Sequence, residues 1–314
     1  MALLSRKKQL AAKIEAEKGT RETSLAAADA DVLADSIDFN FAPEEIQREY
    51  LRATFSKDTS IVGPLIATIS CRVELKGSGT ATTPPSWGKL LTGCGFKESI
   101  GSSSVTYQVD TDDADSETLT MAEYNDGHQR IMYAARGAVT FEFTANRIAY
   151  GNFTFTGIYY ADADVGLLSP TYETTLPVPF RNASLTLNFG TPWSGAVFSS
   201  LNFDMGNEVA LREDANATLG LAYAQIVNRD PRGTIDIDKE LVATQDFESH
   251  LTTPTTGSIA FDLGSVAGNT LSFSIPKMQV LSLPGADRDG VSTYDMAFAC
   301  RVNAGDDEFV ITQT

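Results

Sequence analysis

A long alternating segment dominates the hydrophobic pattern of the chain, and a weaker copy of it follows in the second half. The odd positions from Leu65 to Leu75 are apolar, whereas the even positions from Thr68 to Lys76 are polar. Strict alternation predicts a strand with one buried face and one exposed face. A shorter alternating segment runs from Gly233 to Leu241. The pattern therefore predicts two long strands around which the rest of the chain is organised.

The same order of elements surrounds both long strands. Each follows a long polar loop, and each loop follows a short alternating strand, Ser36–Phe41 in the first case and Ser200–Asp204 in the second. A short helix is predicted after each long strand, from Ser86 to Phe96 and from Thr244 to Leu251. This recurrence predicts an internal duplication with an offset of roughly 165 residues.

Other segments predict further strands and the boundaries between domains. Asn125-Asp126-Gly127 predicts a hairpin, because these residues accept the positive φ angles of a tight turn. Turn-forming residues and prolines over 161–179 predict a linker. We predict an N-terminal arm over 1–34, with a short helix or arm from Ser5 to Lys18. A first domain is predicted over 35–160 and a second over 180–314.

Composition narrows the classes of function. The chain has 24 basic and 41 acidic residues, a net charge of −17. That balance argues against ordinary nucleic-acid binding, which needs a basic surface, but not against a protein that lets a polyanion pass. Cys71, Cys94 and Cys300 are too few and scattered for a disulfide framework or a zinc site, and are expected to be small buried hydrophobes. No apolar run approaches the length of a membrane span.

No group of residues forms a pattern typical of catalysis. His128 and His250 lack a Cys or His partner at metal spacing, and Asp287–Gly290 lacks the final Glu of a calcium loop. The acidic stretch over 110–117 is best interpreted as a solvated loop. We therefore predict that the protein is not an enzyme and has no cofactor or metal. A β-rich glycan-binding or glycan-hydrolysing protein, with a pair of carboxylates, is the enzymatic alternative.

Three short segments resemble the tail tube proteins of long-tailed bacteriophages. They are the lysine-containing segment Ala11–Thr20, the turn Glu74–Thr80 and the Trp-Gly helix Trp87–Phe96. The resemblance covers the first part of the chain and implies a mostly β fold. It implies two tandem tail-tube-type domains, each a β-sandwich or half-barrel with a short flanking helix. Strands of these domains would contribute to a pore-lining barrel in the oligomer.

The resemblance also implies a function and partners. The chain would be a structural virion protein that polymerises into stacked rings, forming the tail tube through which DNA is delivered. A tail terminator, baseplate or decoration component on the same fold is the alternative. Rings of three chains would have pseudo-sixfold symmetry. Other expected partners are tape measure, terminator and distal tail proteins, and DNA that passes without specific binding, but no membrane. The implied location is the virion tail, assembled in the bacterial host cytoplasm.

Under this resemblance, the polar residues of the two long strands would line the channel. These candidates are Thr68, Ser70, Arg72, Glu74, Thr234, Asp236 and Asp238. Arg72, Lys76 and Lys239 would partly offset the acids, so we expect a channel of net negative charge. The long loops and the N-terminal arm would bind the adjacent ring.

Overall fold

The computed structural model describes residues 3–112, 116–253 and 255–314, and it is built mainly of antiparallel strands. The predicted mostly β class is confirmed. Met1 and Ala2 of the predicted arm, and residues 113–115 of the predicted acidic loop, lie outside the described residues.

The strands fall into two successive sets, which we call the first half and the second half. The first half contains β1 Lys8–Ile14, β2 Ala34–Phe41, β3 Glu45–Ile46, β4 Ile61–Val62, β5 Ile66–Glu74, α1 Gly88–Gly93, β6 Phe96–Ile100, β7 Val105–Val109, β8 Leu119–Asn125, β9 His128–Thr144 and β10 Tyr150–Asp164. The second half contains β11 Thr186–Asn188, β12 Pro192–Trp193, β13 Phe198–Asp204, β14 Asn207–Glu213, β15 Leu221–Arg229, β16 Arg232–Asp238, α2 Phe247–Thr252, β17 Thr256–Leu263, β18 Leu271–Ser282, β19 Gly285–Arg288, β20 Val291–Cys300 and β21 Val310–Gln313.

The two halves share one order of strand pairing. In the first half the order is β2, β5, β10, β9, β8, β1, with every neighbouring pair antiparallel. In the second half it is β13, β16, β20, β18, β17, β11, again all antiparallel. A two-stranded insertion follows the first strand of each set, β3–β4 in one half and β14–β15 in the other. The domain boundaries at 35–160 and 180–314 stay a prediction.

A strand-to-strand junction joins the halves. The end of β9 pairs with β13 through five residue pairs, from Ser200 opposite Thr144 to Asp204 opposite Thr140. Behind this junction, aromatic rings from both halves pack together, with Phe143 centred 5.0 Å from Phe261. The main hydrophobic core therefore runs through the first and second halves.

The turn after β5 is a second contact between the halves, and it explains part of the Glu74–Thr80 segment. A Cβ added at Gly77 would lie 2.2 Å from the carbonyl oxygen of Gly268, so a side chain there would push the backbones apart. The C-terminal strand β21 lies nearby and pairs with β7 and β18. The Gln313 side chain donates to the carbonyl oxygen of Thr80 at 2.8 Å. Side-chain-free backbone packing at this turn is thus a requirement of the fold.

The prediction of a helix or arm from Ser5 to Lys18 is wrong. Lys8–Ile14 is strand β1, paired with β8 along its whole length, and Leu10 lies in the main core. The carboxylate of Glu15 accepts from the Thr118 hydroxyl, the Thr120 hydroxyl and the Ala134 N–H, which fixes the end of the strand. These tertiary bonds override the helix propensity of the Ala- and Lys-rich segment.

Candidate functional site

The candidate site is the polar face of one continuous sheet, which we call the central sheet. Its strands are β2, β5, β10, β9, β13, β16 and β20, in that spatial order, and β19 pairs with β20 at the far edge. Because successive side chains of a strand point to opposite faces, each strand gives one row of residues to the core and one to the other side. The central sheet therefore spans both halves without interruption.

The alternation predicted from the sequence produces this face. In β5, Ala67, Ile69 and Cys71 are buried in the core. Burial raises the pKa of the Cys71 thiol to about 12, which keeps it protonated and unreactive. The intervening residues Thr68 and Ser70 lie on the opposite face, where Ser70 contacts Thr154 of β10 at 3.3 Å between hydroxyl oxygens.

The structure brings candidates from both long strands into the same sheet. Glu74 lies opposite Tyr150, and Thr234 lies opposite Asn202. Tyr150 and Asn202 are both paired with Glu142 of β9, so Glu74 and Thr234 belong to one row across five strands. The remaining candidates lie on the same face: Thr68, Ser70, Arg72, Asp236 and Asp238. Whether this face lines a channel stays a prediction.

Arg72 is largely neutralised where it lies. Its guanidinium is 3.2 Å from the Glu142 carboxylate and 4.0 Å from that of Asp35. It also stacks over the Tyr150 ring, 3.8 Å from the centroid. The planar guanidinium is suited to such combined stacking and pairing. Arg72 therefore adds little free positive charge to the face.

Asp236 and Asp238 are also paired. Arg288, at the edge strand β19, lies 2.9 Å from the Asp236 carboxylate and also binds Asp238. Burial alone raises the pKa of Asp236, but hydrogen bonds from Ser199 and Arg288 outweigh burial and hold the pKa below its usual value. Asp236 is therefore held in its ionised form, and Arg288 offsets part of the charge of this pair of aspartates.

Sequence reasoning placed Lys76 near this face, and that placement is wrong. Lys76 is buried, and its ammonium donates to the carbonyl oxygen of Glu173 at 3.3 Å. The chain turns away from the central sheet after Glu74, and the Trp87 indole N–H donates to the Lys76 carbonyl oxygen at 2.8 Å. This bond gives the Trp of the Trp-Gly segment its structural role.

Sequence reasoning also missed several residues of the polar face, namely Asp38, Glu142, Asn202, Arg288 and Asp295. The alternation of Ala138–Ala145 could have identified Glu142. Nothing local indicates Arg288, because it reaches the face only through the hairpin of β19 and β20.

The polar face is concave near the junction of the halves. A cavity of about 430 Å³ lies over β9, β13 and β16, and its lining includes Glu142, Asn202 and Arg232.

The comparison with known families decides the assignment. Residues 5–300 match the family model described as phage tail tube protein. The chain belongs to the phage tail tube protein family. No curated protein matches the chain. The predicted family is confirmed, and the match extends through the second half, where the short sequence resemblances were absent.

Membership of the tail tube family supports a structural virion component that assembles with further copies and with other tail proteins. The family is structural, in agreement with the absence of a catalytic pattern in the sequence. Among the described residues, no helix has the length and apolar character needed to cross a membrane. The polar face is thus a feature of a tail tube protein.

Proposed function

We propose that three copies of the chain close into a ring with pseudo-sixfold symmetry, and that such rings stack into the tube through which phage DNA leaves the virion. The single observation that carries the proposal is the β9–β13 junction. It joins two similar halves edge to edge, so that their polar faces are continuous. A repeat that joins edge to edge in this way can be continued by further copies.

The two edges needed for continuation are unpaired. In the repeat, β2 corresponds to β13, and β18 corresponds to β9. The strand β19 follows β18 and takes the place of the last part of β9. Among the described residues, the only strand that pairs with β2 is β5, and the only one that pairs with β19 is β20. Exposed strand edges are a liability unless another strand covers them. The β19 edge of one chain and the β2 edge of the next are the pair that would close the ring.

The residues between β2 and β5 support contacts between chains. We call residues 42–64 the exposed arm. Leu51 and Phe55, at its tip, are fully exposed. Large apolar patches on a soluble chain usually mark interaction sites. Exposed Val197, Leu241 and Val291 lie near the opposite end of the second half's strands, where an adjacent ring would be met.

The charge of the polar face favours passage of DNA without binding. Glu74 and Asp295 form no ion pair with another described residue, whereas Arg72, Asp236 and Asp238 are paired. Acids on a channel wall repel phosphate groups, whereas a basic wall would hold DNA by releasing counterions. The unpaired acids therefore carry more of the repulsion than Asp236 and Asp238.

Negative-stain microscopy of the purified protein tests the proposal. We expect rings or hollow tubes of uniform bore, with three chains per ring by mass measurement. Rings that form but never elongate into tubes would favour the terminator or baseplate alternative. Discrete monomers at high protein concentration would refute ring formation.

Genome ejection tests the channel assignment. Particles carrying Glu74→Lys and Asp295→Lys should eject DNA more slowly than wild type at low salt, where charge is least screened. Asp236→Lys with Asp238→Lys should have a smaller effect, because Arg288 already offsets these acids. Unchanged kinetics for both pairs would contradict the assignment of this face to the channel.

A further inference from the structure

The two insertions of the repeat differ in what covers them. We call β14 and β15 the docked hairpin, because it packs on the first half. Leu221 of this hairpin is buried together with Ala134 of β9 and Ile158 of β10, in a cluster separate from the main core. Tyr133 and Ile66 complete the surface beneath it. The insertion of the second half therefore packs on the first half, with which its preceding strand β13 is paired.

Polar contacts show how the docked hairpin reaches that surface. The chain leaves β13 beside β9, and the Asn207 side chain then donates to the carbonyl oxygens of Cys94 at 2.7 Å and Gly137 at 3.0 Å. Further along, the Lys18 ammonium lies 5.3 Å from the centre of the Tyr223 ring. The position of the hairpin therefore follows from the β9–β13 junction.

The exposed arm occupies the same place in the first half, but its parent strand β2 has no such neighbour. Its strands β3 and β4 pair with each other, and Ile46, Ile61 and Val62 are exposed. If β2 pairs with β19 of the next chain in the way that β13 pairs with β9, the exposed arm lies over β18 and β20 of that chain. This step rests on the ring closure proposed above.

We propose that the base of the exposed arm, around β3 and β4, binds β18 and β20 of the neighbouring chain within the same ring. The tip, around Leu51 and Phe55, extends beyond this contact and remains available to an adjacent ring. The occupant of the β18–β20 surface is thus a second copy of this chain, not another tail protein.

The strand registers identify the binding surface. Phe41 lies opposite Ala67, and its counterpart Phe203 lies opposite Gly233. Ile66 precedes Ala67, and Arg232 precedes Gly233. The row of paired residues beneath the docked hairpin begins at Ile66 and continues through Ile158 to Tyr133. The corresponding row in the second half is Arg232, Ala299, Gln279. The equivalent surface is therefore polar where the first half is apolar.

Basic side chains surround this corresponding row. Arg301 donates from Nε to the Gln279 side-chain oxygen at 3.0 Å, and its backbone N–H donates to the carbonyl oxygen of Lys277 at 2.8 Å. Arg232 is exposed but is paired with the Asp230 carboxylate at 2.5 Å, so Arg301 is the basic group available to a partner. Exposed Leu281 lines the same concavity as Arg232. A partner for this surface needs acidic groups and a small apolar contact.

The base of the exposed arm has that chemistry. Glu44 and Glu45 directly precede the exposed Ile46, whereas Glu49 lies 3.9 Å from the Lys57 ammonium. The opposed charges favour this pairing and disfavour a pairing of two basic surfaces.

Site-directed cross-linking distinguishes a contact within a ring from one between rings. Ile46→Cys with Leu281→Cys, treated with a short bis-maleimide, should give products that stop at the covalent trimer, because each chain is linked around a closed ring. The native cysteines are buried and should not react. The matched variant, Ile46→Cys with Val291→Cys, places the second thiol near the other end of the β16–β20 strand pair and should give no product.

Products longer than a trimer, or products from the Val291→Cys variant alone, would place the arm base on an adjacent ring and overturn the inference. Rings seen by microscopy without the Leu281→Cys cross-link would also overturn it, while leaving the proposed function intact. Absence of rings from the wild type would instead refute the proposed function. As a second measurement, Glu45→Arg should weaken ring formation at low salt, and Arg301→Glu in the same chain should restore it.

Discussion

The docked hairpin and the exposed arm occupy equivalent places in the two halves, yet one is buried and the other is not. Leu221 of the hairpin is 5% exposed, whereas Leu51 of the arm is fully exposed. The difference does not come from apolar content, since both insertions carry large apolar residues. The proposed ring accounts for the difference, because the half that would cover the arm belongs to another chain. In that ring, the insertion that folds back in one half would mark where its counterpart contacts another chain.

Among the changes that distinguish the exposed arm from the docked hairpin, deletion of the arm should have the largest effect on assembly. Replacing Glu44–Thr59 by a short Gly-Ser linker should leave a folded protein that cannot polymerise, because the removed residues bury little core. Circular dichroism and electron microscopy would measure folding and polymerisation. A matched shortening of the docked hairpin should destabilise the fold itself. Tubes of normal length from the arm deletion would contradict its role in assembly.

Single substitutions should sharpen the same contrast. Leu221→Ala should lower the free energy of unfolding by roughly 2–3 kcal/mol, since it leaves a cavity beside Ala134 and Ile158. Leu51→Ala should change it by less than about 0.5 kcal/mol, because Leu51 contacts mainly solvent. Urea denaturation of both variants measures these values. Equal losses would show that the two insertions do not differ in packing.

Charge reversal at the proposed joint should have a smaller effect, confined to assembly. Asp38 of β2 would lie near Arg288 of the next chain, so Asp38→Arg should place like charges together. The expected cost is up to about 1 kcal/mol per joint. Sedimentation at increasing salt should show weaker rings than wild type. Asp295→Arg, on the interior strand β20, serves as the control, and an equal effect of both would argue against the joint.

The smallest expected effect concerns acid pH. Because the pKa of Asp236 is held below its usual value, its contribution to stability is present above the unfolded pKa of about 3.9 and is lost as the pH falls through the folded pKa. Asp236→Asn should therefore flatten the loss of stability below about pH 4. Arg288→Gln should act in the same direction. Thermal melts across this pH range would show either variant matching wild type if the pairing is unimportant.

Local patterns predicted much of the fold. The alternation of Leu65–Lys76 became β5, and Asn125-Asp126-Gly127 became the turn between β8 and β9, with φ of 47° at Asp126 and 105° at Gly127. Both short helices are present, although shorter than predicted. These features depend on neighbouring residues, which a sequence displays directly.

Features that depend on distant partners could not be predicted in the same way. The alternating segments Gln129–Tyr133 and Ala138–Ala145 resemble two separate strands in the sequence, but β9 is continuous through a bulge where Ala134 has φ of 53°. The pairing of β9 with β13 sets which residues share the polar face, and neither strand carries a local signal for it. Likewise, β1 was missed because its burial comes from β8.

The continuity of β9 has a mechanical consequence. One strand pairs with β8 over its first part and with β13 over its last part, so a tilt of the second half must bend a strand built into the first. The two halves of a chain should therefore behave as a stiff unit. Between chains, the proposed joint would connect β2 to the short β19, which has no such extension. A tube built in this way would bend at the joints between chains, and each chain would act as a rigid unit.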